Sequence, residues 1–272
     1  MKKLLAVFSV ATLITACSKD DLSSNLTEVV VQKYSNGNRT EIAHYSYSDG
    51  KITQIMHYNN SNFRIGKTKY EYYSNGSLLR ITKTGTDNFT PIYSYEYIYD
   101  EHERIAFKKY RGSQSYNTDY TYNNDNTISA LRMVNGGGES TATFYLNSDN
   151  LIYKQVSNLE EYTITYNGQN PTLTTNGSNN ILYEYDEFHN RLLLNDRNKN
   201  NLYLSNNILM ADNILDDIDS ITDKYLTKET VESGPISSVK KYDYIFNDIG
   251  LPTNRKEYHN DILIKETEYI YQ

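Results

Sequence analysis

Tyr45-Ser46-Tyr47-Ser48-Asp49-Gly50-Lys51-Ile52 reads as the end of one strand, a tight turn and the start of the next. Side chains alternate across a strand, so Tyr45 and Tyr47 fall on one face and Ser46 and Ser48 on the other. Asp-Gly supplies the positive backbone angles of a hairpin turn, and the apolar run Ile52 to Met56 forms the return strand. The same phrase recurs every 25 residues at Tyr70-Glu71-Tyr72, Tyr95-Glu96-Tyr97 and Tyr120-Thr121-Tyr122, with Tyr145 as the fifth member of the series. Asn75-Gly76, Asp125-Asn126 and Asp149-Asn150 supply the turns, and Leu78 to Ile81, Ile105 to Phe107 and Ile128 to Leu131 the return strands. The third copy departs, carrying Asp100-Glu101-His102-Glu103 where a glycine turn is expected.

A fixed period of this length is the signature of stacked supersecondary units. Outside the strict phase the phrase continues at Tyr162 to Tyr166, Tyr183-Glu184-Tyr185, Tyr242-Asp243-Tyr244 and Tyr269-Ile270-Tyr271, and a half-copy runs from Val29 to Tyr34 before Asn36-Gly37. The fold expected is all-β: an antiparallel meander of about 8–10 sequential hairpins, twisted and curled into a barrel-like or half-pipe sheet, with a two-sheet sandwich as the alternative. Residues 195–224 break the rhythm. Met210, Ile214, Ile218, Ile221 and Tyr225 recur there at helical spacing, and the segment reads either as a short helix or as irregular strands and loop.

The chain holds 28 tyrosines, 7 phenylalanines and no tryptophan. A buried tyrosine ring still needs a partner for its hydroxyl, which predicts a thin core with polar atoms close by. Tyr183-Glu184-Tyr185-Asp186 and Tyr45 to Ile52 resemble the tyrosine-aspartate (YD) repeats of rearrangement-hotspot toxin shells and teneurins. They are closer still to Tyr-rich bacterial surface lipoproteins with degenerate copies of such hairpins. The resemblance covers roughly residues 29–194 and 240–272; it implies a hairpin-repeat scaffold and brings no catalytic residues.

Lys2 and Lys3 precede an apolar stretch from Leu4 to Ala16, which ends in Ile14-Thr15-Ala16-Cys17. That stretch falls short of the roughly 20 apolar residues a spanning helix needs and reads as an export signal. The last four residues resemble a bacterial lipobox, which makes Cys17, the only cysteine, the lipid-attachment residue. The expected organisation is a signal peptide at 1–16, a lipidated cysteine and tether at 17–28, and one β-hairpin-repeat domain at 29–272. Ser18 in place of an inner-membrane retention Asp points to the outer membrane, and Lys19-Asp20-Asp21 resembles the acidic signals that carry some lipoproteins to the cell surface.

Removal of residues 1–16 takes two lysines and no acid, leaving a formal charge of −9. Such a charge disfavours nucleic acid, whose binding rests on phosphate neutralisation by Lys and Arg. A membrane-spanning barrel is disfavoured by Lys69, Glu71 and Glu96 on the face opposite the tyrosines, because a midplane Lys costs about 2–4 kcal/mol. His44, His57, His102, His189 and His259 lack zinc-site spacing and read as exposed loop residues. Asp216-Asp217-Ile218-Asp219 with Asp223 lacks the calcium-loop glycine, and Gly136-Gly137-Gly138 precedes no helix pattern. No nucleophile elbow appears. The reading is a surface lipoprotein that acts as a non-catalytic binding or structural module, with no cofactor or metal and with a glycan or cell-surface protein as partner; the alternative is a surface enzyme acting on glycans.

Overall fold

The computed structural model describes residues 26–87, 89–158, 160–189 and 224–272. They form eighteen strands in chain order. These are β1 (Leu26–Ser35), β2 (Asn38–Ser48), β3 (Lys51–Asn59), β4 (Arg64–Tyr72), β5 (Leu78–Thr84), β6 (Pro91–Tyr99), β7 (Ile105–Arg111), β8 (Tyr116–Tyr122) and β9 (Thr127–Val134). The second half comprises β10 (Glu139–Leu146), β11 (Ile152–Ser157), β12 (Glu161–Asn167), β13 (Asn170–Thr175), β14 (Asn179–His189), β15 (Lys224–Ser233), β16 (Ile236–Phe246), β17 (Pro252–His259) and β18 (Ile262–Tyr271). Each strand pairs antiparallel with its sequence neighbours, and β1 pairs with β18 as well as β2. The meander therefore closes into a barrel, which leaves no unpaired sheet edge. Both termini of the eighteen-strand ring, Leu26 and Tyr271, meet at one rim.

Positive backbone angles stand where the sequence places its turns. Asn36-Gly37 (φ 50° and 75°) and Asp49-Gly50 (51° and 70°) make two-residue turns of the type that matches strand twist. Where glycine is missing in the third copy, Glu103 takes φ 59°. Asp100 holds that turn: its Oδ1 accepts the His102 and Arg104 amides, each at 2.9 Å. Asn147 does the same for Asp149 and Leu151, and Asn247 for Ile249 and Leu251.

The paired residues Tyr70, Ile81, Tyr95, Tyr110 and Tyr116 lie side by side across β4 to β8 on the inner wall. Tyr45 joins the same wall through Ile55 and Thr68, and Tyr120 through Ala130 and Ala142. Tyr145 does not belong to the series. Phe144, 0% exposed, takes the inward position and pairs with Ile128, which turns Tyr145 outward beside Lys154 and Thr127. The 25-residue spacing survives there, but the strand has slipped by one residue, and one residue exchanges the faces.

The last inward tyrosine of a strand does a second job. Tyr72 donates its hydroxyl to the Ile52 carbonyl (2.8 Å), Tyr99 to Leu78 (2.9 Å) and Tyr122 to Ile105 (3.1 Å). Tyr166 reaches Ile152, Tyr185 reaches Pro171 and Tyr271 reaches Pro252, each at 2.7 Å. Every acceptor is the first or second residue of the preceding strand and sits beside a β-bulge, as at Tyr47/Ile52, Tyr72/Leu78, Tyr99/Ile105, Leu146/Ile152, Tyr166/Pro171 and Phe246/Pro252. A bulge disrupts the ladder locally and leaves backbone groups in need of partners; the tyrosine supplies one. Where the bulged residue is threonine, its own hydroxyl bonds the opposite strand, as Thr53 to Ser46, Thr172 to Thr165 and Thr253 to Ile245. This ring of clasps marks one rim of the barrel, here the clasp rim.

Tyr95→Ala is expected to cost about 3 kcal/mol, since it empties a ring-sized volume of core, whereas Tyr99→Phe removes one hydrogen bond and is expected to cost about 1 kcal/mol. Outward Tyr145→Ala is expected to stay below about 1 kcal/mol. Urea unfolding of the three variants measures the order; equal costs for Tyr95 and Tyr145 contradict the assignment of faces.

Candidate functional site

Two walls and two rims are available to a partner. The inner wall is packed at its middle: Tyr97, Lys108, Thr118 and Phe144 are each 0% exposed, and Arg255 1%. Tyr97 pairs with Lys108, Lys108 with Thr118, and Thr118 with Arg132, so the four form one lateral row from β6 to β9. The Lys108 ammonium lies 5.0 Å from the Tyr95 ring centroid, the Arg132 guanidinium 3.9 Å from Tyr116, and Lys83 5.9 Å from Tyr93. Between them Tyr95 packs at a tilt on Tyr110 (4.8 Å) and Tyr110 stacks on Tyr116 (4.9 Å). Cations over ring faces gain about 0.5–2 kcal/mol each. The Tyr97 hydroxyl, the Thr118 hydroxyl and both Gln155 amide atoms are buried and make no hydrogen bond among the described residues.

Acids enter the inner wall on other strands and are matched. Glu229 pairs with Lys240 at 3.0 Å, Glu257 with Lys265 at 3.7 Å, and Glu41 with both Lys33 at 3.7 Å and His57 at 3.1 Å. His57 also meets the Thr68 hydroxyl at 3.1 Å. Composition alone hides these groups. Their signal is the pairing register: Lys108 opposes Tyr97, Arg255 opposes Tyr244 and Glu257 opposes Tyr242, so each shares the face of a tyrosine.

The histidines depart from the expectation of exposed loops. His44 is on β2 with Nδ1 2.6 Å from Glu28, His57 faces inward on β3, and His259 ends β17, because alternation along a strand places them; His102 alone is seen in an exposed turn. The backbone of His189 ends β14. Cys17, Lys19-Asp20-Asp21, residues 195–223 and Asp216 to Asp223 lie outside the described residues. Among the described residues no three His, Cys, Asp or Glu converge as a metal site. Tyrosines on the inner wall are poor acids: burial raises Tyr70 and Tyr97 well above 10, and Tyr183 to about 12.

The outer wall is a lattice of ion pairs. Lys69–Glu71 (3.0 Å), Arg80–Glu71 (3.8 Å), Arg80–Glu96 (3.5 Å) and Lys109–Glu96 (3.8 Å) run across β4 to β7. Lys154–Glu161 (2.8 Å), Lys228–Glu184 (2.7 Å) and Lys256–Glu266 (3.8 Å) continue it elsewhere. Among the described residues the most exposed aromatic side chains are Phe89 (87%) and Phe63 (71%), on turns at the rim opposite the clasps, rather than tyrosines. At the clasp rim the turns are rich in asparagine, and a cleft of about 130 Å³ opens beside Leu146.

No protein-family model and no curated protein matches the chain. Among solved structures it is similar to a porin-like protein from Bacteroides uniformis, with 11% identity and a TM-score of 0.33 over 92% of this chain and 97% of that one.

Burial outweighs the Glu41 hydrogen bond and holds the His57 imidazole below its ordinary value of 6.5. As pH falls below about 6.5 the unfolded chain takes up this proton before the folded one does, so stability is complete above that pH and declines beneath it. His57→Gln is expected to shrink the loss of urea midpoint between pH 7.5 and 5.5. An unchanged loss contradicts the burial of a neutral imidazole.

Proposed function

We propose that this chain is a lipid-anchored outer-membrane protein displayed on the cell surface, a non-catalytic binding or structural module whose barrel stands in water. The charged outer wall carries this reading. A spanning barrel needs an outward apolar band, and each midplane Lys or Arg costs about 2–4 kcal/mol. Here Lys69, Arg80 and Lys109 alternate with Glu71 and Glu96 across β4 to β7, and Lys154–Glu161, Lys228–Glu184 and Lys256–Glu266 place charges on further strands. Attachment then rests on the lipobox cysteine, Cys17, and the packed inner wall favours a scaffold over a conduit.

The non-catalytic reading draws support from the ion pairs of the inward acids Glu41, Glu229 and Glu257, which leave each carboxylate committed to a cation. With the tyrosines turned inward, the amide-rich turns at the rims are what meets a glycan or a cell-surface protein. Asn and Thr side chains at such turns offer both donors and acceptors to hydroxyl groups.

Cys17→Ser is expected to abolish palmitate incorporation and to release the protein from membranes in a soluble, folded form. External protease is expected to digest the wild-type protein on intact cells. Labelled palmitate in the variant, or retention of the unlipidated variant in membranes as an integral protein, contradicts the anchor; full protection of the wild type contradicts surface display.

A further inference from the structure

The clasp pattern is broken at β10. The inward residue before the turn is Tyr72, Tyr99 and Tyr122 on β4, β6 and β8, and Tyr166, Tyr185 and Tyr271 on β12, β14 and β18; β16 keeps a ring without the hydroxyl, Phe246, and on β10 the ring itself is missing, replaced by Leu146. The neighbouring pair Tyr122/Ile128 also runs without the register shift seen beside Tyr72 and Tyr99, so ring and bulge are lost together. The cleft of about 130 Å³ stands where the missing ring would lie, between the turns that follow β6, β8 and β10.

Its chemistry is that of a neutral, hydroxyl-rich ligand. Leu146 and the Tyr122 side chain give it an apolar side. Asn123, Asn126, Thr127 and Asn150 line the rest. The Asn123 amide nitrogen donates to Thr127 and Ser129, both at 2.9 Å, which leaves its oxygen as the acceptor of that side chain. The Asn126 side chain is exposed and bonds no other group among the described residues; its backbone carbonyl accepts from the Leu146 amide at 2.9 Å. Arg104 brings the one charge, and it is already matched: its Nε and Nη2 lie 2.7 and 2.6 Å from Asp100 Oδ2, while its plane covers the Tyr122 ring at 3.9 Å. The Thr127 hydroxyl is committed as well, accepting from Asn123 and donating to Asp125 at 2.6 Å. That arrangement offers little to an anion and leaves the Asn123 oxygen, the Asn126 amide and an apolar floor, the pairing by which polar groups fix a ligand while apolar contacts hold it.

We propose that this cleft receives a single neutral sugar residue of a glycan. The proposal rests on the binding-module reading and locates it.

The test uses the mature chain, residues 17–272 carrying Cys17→Ser, and the free hexoses glucose, galactose, mannose and N-acetylglucosamine as probes, observed by ligand-detected NMR with sodium sulfate as the anionic control. At least one hexose is expected to bind saturably with a Kd of about 1–10 mM, and sulfate is not. Leu146→Tyr, which places a ring in the cleft, is expected to weaken that binding at least tenfold without lowering the thermal midpoint. Asn126→Gly, which removes the amide at a residue with φ 60°, is expected to weaken it by about three- to tenfold and covers the case in which the tyrosine variant misfolds. Failure of all four hexoses, preferential sulfate binding, or hexose binding that survives both substitutions overturns the proposal. A glycan array bound equally by wild type and Leu146→Tyr removes the cleft but keeps the binding module; a silent array together with protease protection removes the module itself.

Discussion

A tyrosine ring buried on a sheet face brings a hydroxyl that must find an acceptor, and the architecture follows from where that acceptor lies. The inward rings build the core, as Tyr70, Tyr95, Tyr97 and Tyr120 do. At the strand end the hydroxyl lands on a carbonyl of the neighbouring hairpin, beside its bulge. Packing and backbone satisfaction are thus coupled: the bulge presents a carbonyl, the ring reaches it, and the bond ties each hairpin to the one before. Bulges also bend strands and increase twist, which is what a long meander needs to curl round until β18 meets β1.

Closure separates two chemistries. Outside, Lys and Glu in register neutralise one another in contact with water, where each pair contributes little but the surface stays hydrated. Inside, the tyrosine layers near the clasp rim give way to Lys33, Glu41, His57, Glu257 and Lys265, paired by charge and lying closer to the opposite rim. A charged group on this face is tolerated because a tyrosine ring or an opposite charge lies beside it, as Tyr95 does for Lys108 and Tyr242 for Arg255. From β17 through β18 to β3 the inner wall is therefore graded, more apolar where the strands are clasped and more ionic where they are not, whereas on β6 to β8 Tyr93, Tyr110 and Tyr116 carry the aromatic stack to the opposite rim.

Period-two alternation made Tyr45/Tyr47, Tyr70/Tyr72 and Tyr120/Tyr122 legible as one face, and Asp49-Gly50 and Asn75-Gly76 legible as turns, since both depend on local backbone geometry. Tyr145 was not legible in the same way: its spacing matches the repeat, but a one-residue slip beside Phe144 reverses its face, and spacing carries no face information without register. The inward charges were hidden for a related reason, because Lys108 and Glu257 are defined by the tyrosine across the strand pair rather than by their sequence neighbours. The clasp left a signal that only a pairing scheme exposes: Ile52-Thr53, Pro171-Thr172 and Pro252-Thr253 each follow a turn with an acceptor and a bulged threonine. The Leu146 cleft is visible solely as a departure from that scheme.

The central claim is that most of the repeat tyrosines are buried on the inside of the barrel, with the strand-end hydroxyls engaged on carbonyls, and alkaline titration followed at 295 nm tests it most directly. Burial raises Tyr70, Tyr72, Tyr97, Tyr122 and Tyr166 above the ordinary value of 10, with Tyr183 near 12. The unfolded chain loses those protons first, so the stability they contribute is present below pH 10 and is lost as pH climbs past it. The account predicts two phases: an early ionisation that leaves the sheet intact, and a later one, from the inward rings, that coincides with loss of the β-sheet circular dichroism signal. Ionisation of all the tyrosines in one step near pH 10, with the sheet signal intact, would contradict it.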